Sequence, residues 1–267
     1  MRHALLAGVL VSIACGIVGS FVVVNRIVFI SGGIAHTAYG GVGLGYYFGF
    51  NPVIGAIAFA LLAAVGMATV ERSTKERADT IIGVMWAVGM AIGIILIDLT
   101  PGYKADLMSY LFGSILAVPQ EDLQIMLILD LIIGAIVFLL YKELLAISFD
   151  PVFSTTRRVP VKGLYLILVA AIALTVVMVM RVVGLILVIA LLTIPAAIAG
   201  KFVKDLKQMM VLASILGIIF TNIGLWLSYF LNLTSGATII LVSGGAYLLS
   251  LCLISLQNKL KLPRQVY

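Results

Sequence analysis

Long apolar runs alternate with short polar connections along the whole chain. A helix needs about 20 apolar residues to cross the hydrocarbon core of a bilayer, and the runs have this length. A transmembrane β-barrel would instead alternate apolar and polar residues in short segments, so the pattern predicts an all-α, polytopic membrane protein. The room between connections fits eight or nine spans, and we place nine at residues 4–24, 32–50, 52–70, 80–97, 123–141, 163–180, 184–200, 209–230 and 236–256.

Composition agrees with this pattern. The chain is 63% hydrophobic and 10% charged, with a mean hydropathy of +1.24, which is far more apolar than a soluble domain of this size requires. We therefore expect residues 1–267 to form a single transmembrane domain. The first apolar run, up to Val24, has no obvious small-residue cleavage site, so we interpret it as the first span and not as a signal peptide.

Basic residues predict the orientation, because Lys and Arg concentrate in the cytoplasmic connections of membrane proteins. This distribution predicts an N-terminus outside the cell and a C-terminus in the cytoplasm. The net charge of +6 then belongs to loops that face lipid headgroups and gives no reason to expect nucleic acid. Only three of the 17 basic residues stay outside when the cytoplasm receives the tail from residue 257 and the connections 25–31, 71–79, 142–162 and 201–208.

Two connections are long enough to hold short helices. The outer loop 98–122 has an apolar middle, which predicts a short helix in the outer membrane interface. In the inner loop 142–162, Asp150 and Pro151 are typical of a helix start, since Asp accepts hydrogen bonds from free amides and Pro suits the first position. The helix would cover PVFSTTRR and stop before Pro160. It is either an ordinary interfacial linker or a receiver of motion from a cytoplasmic partner.

Glycines give the second span a distinctive surface. Seven of the 22 residues in FISGGIAHTAYGGVGLGYYFGF, at 29–50, are glycine. Small residues spaced four apart let another helix backbone approach closely. We therefore predict helix packing along the stripe formed by Gly33, Thr37, Gly41, Gly45 and Gly49.

The same span contains His36, with Gly32 and Gly40 one turn away on either side and Tyr39 as its nearest polar side chain. Ionisable residues inside a membrane are costly and usually face a cavity or a partner. Imidazole is also a common ligand for zinc and similar metals. His36 is therefore either a ligand or pathway residue, or a neutral histidine that is hydrogen-bonded to a neighbouring helix.

Two further residues interrupt apolar spans. Asp130 lies in the fifth span and is either a pathway acid or the partner of a basic residue. Pro195 lies in the seventh span, where it either breaks the helix beside a cavity or simply kinks it.

Sequence motifs for chemistry are absent from the chain. It has no G-x-x-x-x-G-K-[ST] phosphate loop, no H-E-x-x-H zinc motif and no G-x-S-x-G nucleophile elbow. With two histidines and few buried acids, we do not expect a self-contained proton pump. The sequence favours a helix-bundle subunit that draws its energy from a partner, and it disfavours an intramembrane enzyme.

Five segments, in this order, resemble the permease subunits of the bacterial and archaeal ABC importers for zinc, manganese and iron. The first is similar to the family's G-D-A-L-[SA]-H run and the second to its Y-L-F-G-D-I-L motif. Each motif alone is weak, but together they extend from about Gly19 to Ser250. The segments are GGIAHTAYGGVGLGYYFGFNP, YLFGSILAV, ELLAISFDPVF, VGLILVIALLTIPAAIA and GLWLSYFLNLTSGATIILV.

This resemblance implies a homodimeric permease that works by alternating access, with two ABC ATPase subunits and an extracytoplasmic metal-binding protein. The chain itself would be no enzyme and would bind no cofactor, because ATP would bind to the partner subunit. A divalent metal ion would be the transported substrate. The expected location is the plasma membrane of a prokaryotic cell.

The resemblance also assigns roles to residues. His36 falls on the histidine that the family associates with its metal pathway, where it would be a transient metal ligand. We add Tyr39 and Asp130 to this predicted pathway. The loop similar to the one that docks on the ATPase contains Asp150, Pro151, Phe153, Arg157 and Arg158.

Two positions depart from the family pattern. Gly32 replaces the motif's aspartate and Ser114 replaces the acid of Y-L-F-G-D-I-L. A divalent cation in a low-dielectric bundle requires negative charge or several good ligands, which either two His36 side chains across a dimer axis or Asp130 would supply. Alternatively, this member carries a different solute or a chelated metal. The alternative from another class is a self-sufficient secondary carrier that exchanges cations for protons through His36 and Asp130.

Overall fold

The computed structural model describes residues 2–73, 78–101, 113, 115 and 118–260. This part of the chain is helical and contains no strand, as the apolar pattern predicts. Its helices, in chain order, are α1 (Arg2–Val24), α2 (Val28–Phe48), α3 (Pro52–Ser73), α4 (Ala78–Leu99), α5 (Gln120–Leu139), α6 (Tyr141–Phe149), α7 (Pro151–Thr156), α8 (Val161–Val183), α9 (Leu185–Phe202), α10 (Leu206–Leu231) and α11 (Ser235–Leu260).

The long helices of the described chain follow the order of the nine predicted spans. Eight of them are long and apolar enough to cross a membrane. The exception is α2, whose glycines and polar residues lower its hydropathy although it has 21 residues. It lies beside α3 over most of its length, with Gly33 next to Met67 and Gly45 next to Pro52. Because α2 covers the same depth as α3, the packing favours nine spans.

Close backbone contacts hold α2 between α3 and α4. It runs antiparallel to α3, with Gly41 packed on the carbonyl group of Gly55. It runs parallel to α4, where a Cβ at Gly40 would lie 2.7 Å from the carbonyl oxygen of Gly89, and a Cβ at Gly43 would collide with the α4 backbone. Only residues without a side chain allow helices to approach this closely.

Gly49 differs from the rest of the predicted glycine stripe. It follows the last residue of α2 with a φ of 73°, and its backbone N–H donates to the carbonyl of Gly45. Among the described residues of this chain, a Cβ at Gly49 would find no atom within 4 Å. Gly49 therefore makes no packing contact there, and its contribution is the left-handed backbone that ends the helix.

A second group of closely packed helices forms around α1. The hydroxyl oxygens of Ser12 in α1 and Thr221 in α10 lie 3.3 Å apart, and Gly16 packs against the backbone of Ser214. These contacts make α1 and α10 antiparallel. Helices α8 and α9 contact both this group and α2, and they meet at Gly184, whose φ is 79°.

Two features of the later helices concern Pro195 and Arg181. Helix α9 continues through Pro195 from Leu185 to Phe202, so the proline does not break it. Arg181, near the end of α8, forms a 2.9 Å ion pair with Asp122 in the first turn of α5. This ion pair ties the start of α5 to the end of α8.

The inner loop 142–162 holds the short helix α7 and most of α6, which was not predicted. The carboxylate of Asp150 accepts a hydrogen bond from the Phe153 N–H at 2.8 Å, which confirms the predicted helix start. Helix α7 ends at Thr156, earlier than predicted. The reason is that Arg158 adopts a left-handed backbone with a φ of 60°, an arrangement that ends helices.

Most of the predicted outer loop 98–122 lies outside the described residues, and so do Ser114 and most of its motif. Gly113 is described, with a φ of 64°, and it packs against the backbone at Val183 and Gly184. The loop therefore touches the bundle where α8 meets α9.

Candidate functional site

His36 lies near the middle of α2, partly buried against α4. Its ring stacks on the indole of Trp86, with ring centroids 4.2 Å apart and planes inclined by 27°. Its Nδ1 lies 3.5 Å from the Sδ of Met90. Stacking restrains the plane of the imidazole, so one nitrogen and one thioether sulfur are held together. Both are ligand types that transition metals accept.

The surroundings of this histidine form a small surface patch. Phe29 is 41% exposed and its ring centroid lies 5.8 Å from that of Trp86. Gly32 is buried, whereas His36, Trp86, Met90 and Ile189 are partly buried, so the patch is open to its surroundings at Phe29 and the partly buried side chains. We call this patch the His36 face, and it consists of Phe29, Gly32, His36, Trp86, Met90 and Ile189.

Gly32 lies one turn before His36 on this face. A Cβ at Gly32 would lie 3.4 Å from the Cδ1 of Ile189 and 3.7 Å from the ring of Trp86. These are ordinary van der Waals distances, unlike the collisions found at Gly40 and Gly43. Packing therefore does not require glycine at the position where the resembling family has aspartate.

Tyr39 is only 1% exposed. It lies one turn after His36, and its backbone carbonyl packs against Gly93 of α4. The residue therefore belongs to the tightly packed junction between α2 and α4. Its predicted role in a substrate pathway stays a prediction.

Asp130 lies in a different part of the molecule from His36. Helix α5, which carries Asp130, packs against α1. Neither carboxylate oxygen has a hydrogen-bond partner within the part of the chain that the structure describes. The structure therefore does not bring Asp130 to His36 within one chain, and its role stays a prediction.

A complete metal site is not formed by the described residues of one chain. Within them, no three His, Cys, Asp or Glu side chains cluster closely enough to hold an ion. The His36 face offers an imidazole and a thioether instead. Such a pair is suited to brief contact with a passing ion, since structural metal sites usually have four protein ligands.

Helix α7 carries the predicted coupling residues to one end of the bundle. Pro151 occupies its first turn, and the guanidinium of Arg157 lies 5.3 Å from the ring centroid of Phe153. Val152 is 74% exposed and Phe153 54% exposed. Apolar side chains exposed outside the membrane spans, with basic residues at the rim, are typical of a protein-docking surface.

Sequence reasoning missed Trp86 and Met90. Both lie in an uninterrupted apolar run, where aromatic and methionine side chains usually fill a core or face lipid. Their contact with His36 depends on α2 and α4 running parallel and in register. No pattern in a single sequence specifies that register.

Comparisons with known proteins agree with the fold. The sequence profile of the ABC 3 transport family matches residues 1–254. The chain is 66% identical over 251 residues to an uncharacterised membrane protein of Synechocystis, covering 94% of this chain and 89% of that protein. It is 38% identical to the manganese transport system membrane protein MntC of Listeria monocytogenes, covering 91% and 86% respectively.

A solved structure has the same fold. The chain superposes on PsaBC from Streptococcus pneumoniae, determined in complex with a Fab, with a TM-score of 0.85 and 33% sequence identity. The match covers 93% of this chain and 90% of the other. With the fold, the family profile and close relatives in agreement, the chain belongs to the ABC 3 transport family.

Proposed function

We propose that the chain is the permease of an ATP-driven importer that moves a divalent metal ion through the plasma membrane of a prokaryotic cell. The observation that carries the proposal is the pair of His36 and Met90 on the open His36 face. Relatives 32–42% identical to this chain are named as metal or manganese transport proteins, which supports a transition-metal substrate. The chain would bind no cofactor of its own.

A homodimer would complete the metal path. In a two-fold symmetric dimer the same patch faces itself, so two His36 faces would offer two imidazoles and two thioethers. This number of ligands suits a transition metal, whereas one chain alone supplies half of it. The ion would pass His36 after release from an extracytoplasmic binding protein that docks near the outer loop.

The ATPase would dock on α7. An open cavity of about 800 Å³ adjoins this helix, bordered by Arg26, Glu71 and Tyr165. Tyr165 donates a hydrogen bond to Glu71 at 3.0 Å and thereby ties α8 to the end of α3. A movement of α7 can therefore be transmitted to the two spans α3 and α8, as alternating access requires. In this arrangement the α7 end of the bundle faces the cytoplasm and the N-terminus faces outside.

Charge reversal on α7 is expected to weaken ATPase binding. Arg157→Glu together with Arg158→Glu should lower the yield of co-purified ATPase at least about tenfold, because a partner surface that complements the two arginines would be acidic and would then meet like charge. Arg2→Glu is the matched control. Arg2 is exposed at the start of α1, whereas the cavity beside α7 adjoins the other end of that helix. Undiminished co-purification with the double variant would argue against docking at α7.

The deciding experiment is metal uptake by membrane vesicles that contain the chain, its ATPase and its binding protein. Zinc, manganese and iron are offered with and without ATP. ATP-dependent uptake of one metal would support the proposal. Uptake that needs no ATPase would favour the secondary carrier. No uptake of any metal by an assembled complex would mean that Gly32 and Ser114 mark a change of substrate.

A further inference from the structure

A groove of about 970 Å³ lies between α5 and α10. Helix α1 packs against both α5 and α10 and forms the floor of the groove. We call this feature the α5–α10 groove. Its floor and walls are mostly apolar and include Ile13, Ile17, Gly134, Phe138, Val211 and Ile215.

The walls of the groove are accessible over membrane-spanning helices. Phe138 is 82% exposed and Val211 is 61% exposed. Among the described residues, a Cβ at Gly134 would find no atom within 4 Å, so the groove is open beside this residue. Because α5 and α10 are both apolar enough to cross the bilayer, an occupant at this depth must itself be apolar.

Charged residues lie only at the end of the groove near α6. Lys142, Glu143 and Lys207 border it there, which leaves one net positive charge. The ammonium group of Lys207 lies 4.8 Å from the ring centroid of Tyr141. Asp205 caps α10, and its charge also acts on Tyr141 at this end of the groove. Two lysine ammonium groups border the groove itself, at the level where helices leave the membrane.

An apolar channel that ends at two lysine side chains matches the chemistry of a phospholipid. Acyl chains require the apolar walls, and clusters of Lys at a membrane interface attract anionic headgroups. We propose that the α5–α10 groove binds one anionic phospholipid, with an acyl chain over Gly134 and the headgroup between Lys142 and Lys207. This lipid would be a bound component of the transporter and not part of the general bilayer.

The test is native mass spectrometry of the full chain after reconstitution in phosphatidylglycerol and phosphatidylcholine of equal acyl length. Wild type should retain phosphatidylglycerol preferentially. Lys142→Gln with Lys207→Gln should lower that retention, by about fivefold for each lysine. Gly134→Phe should abolish retention of both lipids, because its ring would fill the channel.

Two matched controls make the test specific. Lys162→Gln removes a lysine outside the groove at the same end of the bundle, and Gly244→Phe adds a ring where a Cβ also meets none of the described atoms within 4 Å. Both should retain lipid like wild type. Equal retention by all variants, or equal loss in the controls, would overturn the proposal. Disulfide cross-linking of two chains through Ile215→Cys would also overturn it, since the groove would then be a subunit interface.

Discussion

We expect His36→Ala to abolish metal uptake while the complex with the ATPase still assembles. The imidazole is the nitrogen ligand of the His36 face, and its Nδ1 lies 3.5 Å from the Met90 sulfur. Even changes outside the first ligand shell cost metal sites about 10–100-fold, so loss of a ligand should reduce uptake on the order of 100-fold or more. Initial rates of ATP-dependent uptake into vesicles measure this directly.

The other histidine provides the control for this variant. His3 is exposed near the start of α1, and His3→Ala should leave uptake unchanged. Met90→Leu keeps the apolar bulk but removes the sulfur, so it should reduce uptake less than His36→Ala does. Normal uptake by His36→Ala, at equal protein levels, would remove His36 from the pathway.

Gly41→Leu should prevent the bundle from folding correctly. A Cβ at Gly41 would meet the carbonyl group of Gly55, and this neighbour is backbone that no rotamer change can move. Ordinary overpacking costs about 1–3 kcal/mol, and separating α2 from α3 along their shared face should cost more. Thermal unfolding of the detergent-purified chain, with the yield of monodisperse protein, measures the effect.

Gly244→Leu is the matched control for this prediction, because a Cβ at Gly244 meets no atom of the described part of the chain within 4 Å. It adds the same side chain to a membrane-spanning helix and should leave the melting temperature nearly unchanged. Similar melting temperatures for Gly41→Leu and Gly244→Leu would mean that α2 and α3 do not pack as described.

The spans could be predicted from the sequence because burial in lipid requires long apolar runs. The least accurate start was that of α2, predicted at residue 32 and observed at Val28. The helix start at Asp150 could also be predicted, since its cap is a local hydrogen bond. The end of α7 could not be predicted. Arg158 adopts the left-handed backbone there, whereas glycine or asparagine usually marks such a position in a sequence.

The candidate site was only half predictable. His36 stands out because an ionisable group in an apolar span is costly. Trp86 and Met90 do not stand out, since their contact with His36 is set by how α2 and α4 align. Asp130 was added to the same predicted pathway from sequence, yet α5 packs against α1, away from the His36 face. Which polar residues share a site depends on helix neighbours, and these are long-range properties of the fold.

The glycine contacts of α2 have a mechanical consequence. Three helices whose backbones touch cannot slide or rotate past one another without collision, so α2, α3 and α4 should move as one rigid body. His36 and Met90 both belong to this body, and their separation should therefore persist through a transport cycle. Access to the ion must then change by displacement of whatever stands opposite the His36 face, while the ligand pair itself stays intact.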